Sequence, residues 1–259
     1  MKPKKTGKGK SSTLDKVLKA LEAIVDHPHS IGLPDLAEQL GLSRSSLHRL
    51  LQQLHEHGLI VKVPNRDRFA IGPRFSKLAI SAICSANQGA PIRATIQEAV
   101  ADIGETVNVG VLAGRNFVYI ERVECERTPS IYLETGIRLP AHVTSGGKAM
   151  MAFLSDKVRV RLVRTLSLVP YTKNTITDHD ELLKDLELAR QRGFATSNQE
   201  FSEGITGIGV PVLSDDGVAL AALALHAPMQ RVDLKDAHEY ARKLQDAAVR
   251  LAAIWDMAD

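Results

Sequence analysis

Cysteine is nearly absent: the 259 residues contain only Cys84 and Cys125. Two such thiols form neither a metal-type spacing nor a disulfide framework, and this usage fits a reducing cytoplasm, the expected location. Long hydrophobic runs are missing as well. The longest plainly apolar stretch, Val218 to Leu225, is far shorter than the ~20 residues of a spanning helix. No secretory hydrophobic region follows the N-terminal lysines, so no membrane partner is expected. Catalytic signatures are lacking too. There is no G-x-S-x-G elbow. Gly204-Ile-Thr-Gly-Ile-Gly209 is not a dinucleotide fingerprint, and Thr144-Ser-Gly-Gly-Lys-Ala149 is not a Walker loop, whose first Gly would fall at His142. Glu200 and Glu203 read as a solvated loop rather than an acid/base pair. His27/His29 and His55/His57 have no further ligands at metal spacing. Neither a cofactor nor a metal is expected, and the chain is not read as an enzyme.

What remains is a normal globular composition, 44% hydrophobic and 24% charged, long enough for one large or two ordinary domains. The charge is uneven. Residues 1–75 hold 13 Lys and Arg against 7 Asp and Glu, and the rest holds 20 against 23. Residues 1–11, with Lys2, Lys4, Lys5, Lys8 and Lys10, read as a disordered basic arm. It is either an inert solvated tail or, as we expect, a source of weak, salt-sensitive phosphate contacts.

The basic surplus accompanies a recognisable pattern. Leu14 to Val25 has the spacing of an amphipathic helix, capped by Ser12 or Thr13, and His27 to Gly32 breaks it. Leu33 to Leu40 is a short helix, Gly41-Leu42 a turn, and Ser43 to His57 a second helix. Leu47, Leu50, Leu51 and Leu54 fall at i, i+3, i+4 and i+7 and give that helix an apolar floor. Its other face shows Arg44, Ser45, Ser46, His48, Arg49 and Gln52, side chains able to reach phosphates and base edges. Ser43 suits its N-cap, with phosphate contact as a further role. His48 reads equally as a solvent-facing neutral His. Gly58 is placed to end the helix in a left-handed conformation. Leu59 to Val63 and Arg68 to Ile71 read as strands around the Pro64–Asp67 turn, with Arg66 and Arg68 at or near the tip. This is a winged helix-turn-helix over residues 12–73, suited to a major groove of double-stranded DNA.

A connecting helix is expected within 74–90. Residues 91–259 then alternate irregularly between helix and strand. Helices are expected at 92–103, 147–154, 156–166, 177–192 (with Thr177 and Asp180 at its start) and 233–257. Strands are expected at 106–113, 117–123, 131–134, 208–213 and 218–226. The reading is an α+β domain with a mainly antiparallel sheet.

Four ordered segments together resemble the IclR family of bacterial transcriptional regulators: Leu36 to Leu51, Phe69-Ala-Ile-Gly-Pro-Arg74, Leu139-Pro-Ala-His-Val-Thr-Ser-Gly-Gly-Lys-Ala149, and Gly193-Phe-Ala-Thr-Ser197 followed by Glu200 and Gly204. The resemblance implies a GAF-like effector-binding domain, a homodimer and often a dimer of dimers. It also implies a small organic effector, commonly a carboxylate or aromatic catabolite. Ser45, Ser46 and Arg49 match family positions that face DNA. The expected function is a ligand-responsive regulator reading a pseudo-palindromic operator. The alternatives are an enzyme domain on a DNA anchor and a constitutive DNA-binding protein. Thr144, Ser145, Gly146 and Gly147 precede a helix, whose backbone N–H groups can hold an anion. The chain departs from members that sense small oxo-acids. Gly207 stands where they carry Cys, Ser197 where they carry an acid, and Ala224 and His226 where they carry serines. With Gly207 and Ala224 freeing volume, a larger or partly apolar ligand is expected. His226 reads either as a hydrogen-bonded core histidine or as a pocket residue that binds an acid.

Overall fold

A computed structural model describes residues 12–25, 27, 30–64, 66–86, 90–127 and 134–256. The chain divides into two units after Ile80. The expected basic arm lies outside the described residues.

In the first unit, helix α1 (Thr13–Val25) opens on a reciprocal cap. The Ser12 N–H donates to Asp15 Oδ2 at 2.7 Å and the Asp15 N–H to Ser12 Oγ at 3.0 Å. Strand β1 (Ile31–Gly32) was not expected in the His27–Gly32 break. Helices α2 (Leu33–Leu40) and α3 (Arg44–Glu56) follow, joined through Gly41 at φ 62°. Strands β2 (Ile60–Lys62) and β3 (Arg68–Ile71) form the wing, and the antiparallel sheet runs β1-β3-β2. Gly58, at φ 69°, ends α3 as expected. All four leucines of the α3 floor are buried, against Ile24, Ile31, Leu36, Ile60 and Phe69. Helix α4 (Pro73–Ala86) occupies the expected connector, and the division between units falls inside it.

The second unit begins with helix α5 (Ala90–Ile103) and is built on a six-stranded sheet. Its strands are β4 (Val107–Ala113), β5 (Asn116–Val123), β6 (Arg138–Pro140), β7 (Ala195–Asn198), β8 (Ile205–Leu213) and β9 (Ala219–Pro228). The order is β6-β5-β4-β9-β8-β7, every pair antiparallel. Phe117, Tyr119 and Ala222 point to one face, into a core shared with helices α6 (Ser145–Ala152), α7 (Asp156–Val163) and α8 (His179–Arg192). The alternate residues Val118 and Ile120 are also buried, because α5 and helix α9 (Ala237–Asp256) pair with each other and pack against the sheet. The expected strand at 131–134 lies, apart from Glu134, outside the described residues. The edge strands β6 and β7 were not anticipated, and β8 starts at Ile205 rather than Ile208. The cap of α8 is Asp178, not Thr177: its Oδ1 accepts from the N–H groups of Asp180 and Glu181 at 2.8 and 2.9 Å.

Candidate functional site

The first site is the outer face of α3. Ser43, in extended geometry at φ −64° and ψ 141°, accepts the Ser46 N–H at 3.3 Å. Its hydroxyl also donates to Ser46 Oγ at 3.0 Å and lies 3.4 Å from Ser45 Oγ. The three serines thus form one hydroxyl cluster at the helix start, where the helix dipole favours an anion. Arg44, Ser45, Ser46, His48, Arg49 and Gln52 are all exposed. Ser45, His48, Arg49 and Gln52 repeat at i, i+3, i+4 and i+7, a stripe opposite the buried leucines. The helix carries no acid until Glu56, which accepts from Gln52 Nε2 at 3.0 Å. Nothing in its first three turns repels a phosphate.

The wing contributes unequally. Arg66 is exposed beside the Lys62–Asp67 ion pair of 2.8 Å. Arg68 is half-buried and turned inward. Its Nε donates to Ser30 O at 3.2 Å and Ser30 Oγ at 3.1 Å, and its Nη2 also bonds Ser30 O. That guanidinium braces the wing against the segment entering β1 rather than presenting a free fork.

The second site is a cavity inside the other unit, lined by Tyr119, Leu139, Val143, Thr144, Ser197, Phe201, Ser202, Ile205, Thr206 and His226. Its volume is about 20 Å³, room for roughly one water. Three neighbouring hydroxyls are already committed. Thr144 Oγ1 caps α6 by accepting the Gly147 N–H at 3.2 Å, Ser197 Oγ donates to Val143 O at 3.0 Å, and Thr206 Oγ1 donates to Val232 O at 2.8 Å. Tyr119 Oη, Ser145 Oγ and His226 Nδ1 are buried and have no partner among the described residues. Burial raises the Tyr119 phenol above its usual range and lowers the His226 imidazole to about 4, with Arg122 adding to the latter. His226 as a whole keeps some solvent contact while Nδ1 is sealed. The lowered value follows the sealed nitrogen.

A turn between β7 and β8 closes the cavity with Phe201 and Ser202, both half-buried. It holds Gln199 at φ 58°, stabilised by Gln199 Oε1 accepting the Gly204 N–H at 2.9 Å. Glu200 within it is buried, contrary to the solvated-loop reading. Its Oε1 meets Lys148 Nζ at 2.8 Å and the Asn198 N–H at 3.2 Å. Lys148, also buried, bonds Asp185 at 2.9 Å. Burial pushes the Glu200 carboxyl up against the opposing pull of Lys148.

A family model for the C-terminal region of the bacterial transcriptional regulator IclR matches residues 84–253, and one for the IclR helix-turn-helix domain matches residues 13–64. The chain belongs to the IclR family. The probable transcriptional regulator SauR of Cupriavidus necator is 33% identical over 233 residues, covering 90% of this chain and 91% of that protein. The crystal structure of Thermotoga maritima IclR is similar with a TM-score of 0.60 and 26% identity, over 93% of this chain and 97% of that one. The inducer-binding domain of the Acinetobacter PobR transcription factor, a double mutant in complex with 3-hydroxybenzoic acid, gives a TM-score of 0.58 and 27% identity. It covers 63% of this chain and 98% of that domain. IclR-family proteins are DNA-binding transcriptional regulators, not enzymes, which removes the enzyme-domain alternative.

Within this IclR-type unit the expected effector residues part ways. Ser197, Thr144 and His226 line the cavity, and Ser145 lies beside His226. Gly146 and Gly147 do not line it. A Cβ on Gly146 would fall 2.5 Å from Phe117 Cζ, and one on Gly147 would fall 2.5 Å from Ala141 O. Both are glycine because α6 is pressed into the core. Ala224 is fully buried in the sheet, where its carbonyl accepts from Asn108 Nδ2 at 3.4 Å, and it does not line the cavity. Gly207 does not free volume either. The space above it is taken by Ser145 Oγ and His226 Cδ2, each 2.9 Å from where a Cβ would sit. Tyr119, Leu139, Val143, Phe201, Ser202, Ile205 and Thr206 went unread in the sequence. Tyr119 carried the one usable signal, a hydroxyl inside an apolar strand. Among the described residues no group of three or more His, Cys, Asp or Glu could hold a metal, and no helix is long and apolar enough to cross a membrane.

Proposed function

We propose that this regulator reads a pseudo-palindromic operator as a homodimer, assembling further into a dimer of dimers, under the control of a small organic effector. Ser45, Ser46, Arg44 and Arg49 carry the DNA contacts, with His48, Gln52 and Arg66 at the margins. Ser43 organises the helix start, and Arg68 shapes the wing. The observation that carries this reading is the acid-free polar stripe of α3 over a fully buried leucine floor. Such a helix fits a major groove, and Arg bidentate to guanine is the commonest specific contact. The effector occupies the cavity at Tyr119 and His226 in residues 91–259. It acts by shifting the population between conformations whose readers are spaced differently, to an extent limited by its differential affinity for them. Residues 12–73 act as the reader, and the 74–90 connector transmits the shift. The protein works in the cytoplasm.

The test is fluorescence anisotropy of the full chain on labelled duplexes from the intergenic regions flanking its own gene, with and without a broad metabolite panel. Nanomolar binding that one metabolite class weakens or strengthens is expected. Tight binding that no metabolite alters makes the protein a constitutive DNA binder.

A further inference from the structure

The wing returns the chain to the place where α3 ended. β3 runs back antiparallel to β2 with Ile71 opposite Ile60, so Gly72 arrives beside Leu59. Three successive carbonyls at the exit of α3 are taken there by the start of α4. The Gly72 N–H donates to Leu59 O at 2.8 Å, the Arg74 N–H to Gly58 O at 3.2 Å, and Arg74 Nη1 to His57 O at 3.1 Å. The last carbonyls of a helix find no partner within it, and the helix dipole favours a cation at that end. The approach is close enough to require glycine. A Cβ on Gly72 would collide with Gly58 O and fall 2.9 Å from both Ile60 N and Leu59 C, all backbone atoms. Just past the joint, the Ser76 N–H and Oγ both donate to Gly72 O, at 3.2 and 3.4 Å, and Phe75 packs on the first core. Gly72 and Arg74 belong to one of the four segments that carry the family resemblance, yet neither lies on the polar stripe of α3.

We propose that Gly72 and Arg74 are positioning residues for DNA recognition: they fasten the C-terminal end of α3 to the start of α4, so that reader and connector turn as one body. The leucine floor fixes α3 in its own core. A tilt of α4 therefore tilts the whole reader about this joint. Ser45 lies roughly 18 Å from His57 along α3, and a tilt of about 10° carries it roughly 3 Å, more than a base-edge hydrogen bond tolerates. The wing leaves and returns at the same spot, so the chain between the two helices adds no slack. Arg74 is exposed, which makes direct phosphate contact the competing role. The two roles differ in salt dependence, because only a phosphate contact releases a counterion. The assignment rests on the reading of α3 as the reader and of residues 74–90 as the connector.

The experiment combines anisotropy titrations on a labelled operator duplex over a salt series with amide hydrogen exchange, on the full chain and on Arg74→Ala, Gly72→Ala and Arg49→Ala. Gly72→Ala is the stronger perturbation of the joint. Arg74→Ala leaves its backbone bonds in place and keeps the test independent of folding. In Arg74→Ala, segments 57–62 and 72–76 are expected to exchange faster, while the leucine floor at 47–54 stays as protected as in the parent. Specific affinity falls roughly 3- to 10-fold, the value of one hydrogen bond, and the slope of log affinity against log salt is unchanged. Parent affinity in Arg74→Ala overturns the proposal, because the reader is then indifferent to its joint. So does a salt slope reduced by about one, which makes Arg74 a phosphate contact, or exchange at 57–62 and 72–76 equal to the parent's. The reading of α3 itself fails separately, through Arg49→Ala binding as tightly as the parent.

Discussion

Gly209 and Gly207 sit two residues apart on β8, facing α6, and they answer a substitution differently. A Cβ on Gly209 would lie 2.5 Å from Ser145 C, 2.6 Å from Ser145 O and 2.7 Å from Gly146 N. All three are backbone atoms at the start of α6, held by the Thr144 cap and the packed core, and none can rotate away. Gly209→Ala therefore lifts the helix off the sheet. Overpacking against fixed atoms costs about 1–3 kcal/mol, and a contact this close against backbone belongs at or above the top of that range. That corresponds to a fall in melting midpoint of roughly 6–12 °C for a unit of this size. On Gly207 the new methyl meets Ser145 Oγ and His226 Cδ2, the ends of side chains that can turn. Gly207→Ala should cost about 1–2 kcal/mol, less than Gly209→Ala, while displacing the Ser145 and His226 side chains. Urea denaturation of the full chain and the two variants measures the difference. Equal stability of Gly209→Ala and the parent would refute the close docking of α6 on β8, and with it the geometry of the cavity.

Three further outcomes follow from single interactions. Ser43→Ala removes the α3 cap and should destabilise the first unit by about 1 kcal/mol, read as a lower urea midpoint with an unchanged slope. Lys148→Met strands the buried Glu200 charge and should cost about 3–5 kcal/mol, while adding Glu200→Gln recovers part of the loss; calorimetry of the single and double variants tests this. His226 is held neutral in the fold, its pKa falling from about 6.5 to about 4, so between those pH values the unfolded chain binds a proton that the folded one does not. Its contribution is fully present above about pH 6.5 and is lost as pH falls towards 4, by up to about 3 kcal/mol. Parallel urea titrations of parent and His226→Gln at pH 7.5 and 5 should diverge accordingly, and identical pH slopes would remove His226 as the cause.

The sequence was most legible where an element is long enough to show its period. Four leucines at helical spacing placed the floor of α3, and the turns at Gly114–Asn116 and Ser214–Gly217 set off β4, β5 and β9. Strands of two to four residues carry no such signal. The pair Ile31–Gly32 joins the wing sheet only because β3 lies beside it, and Ala195-Thr-Ser-Asn198 has little intrinsic strand preference. The cavity was harder still. Its walls come from five strands, the 141–144 segment before α6 and a turn, far apart in the chain, and whether a glycine leaves space depends on what faces it. Gly207 looked like room for a ligand, but a helix terminus and an imidazole fill it. Glu200 looked like a surface acid until its partner, Lys148, 52 residues earlier, came into view.

The central claim, that the exposed stripe of α3 reads DNA, is tested most directly by anisotropy titrations of the parent, Arg49→Ala and Arg115→Ala on an operator duplex at fixed salt. Arg115 is an exposed arginine of the second unit and serves as a charge-matched control. A loss of about 1–3 kcal/mol in specific affinity for Arg49→Ala, with Arg115→Ala indistinguishable from the parent, is the predicted result. Equal affinity of all three proteins would contradict it.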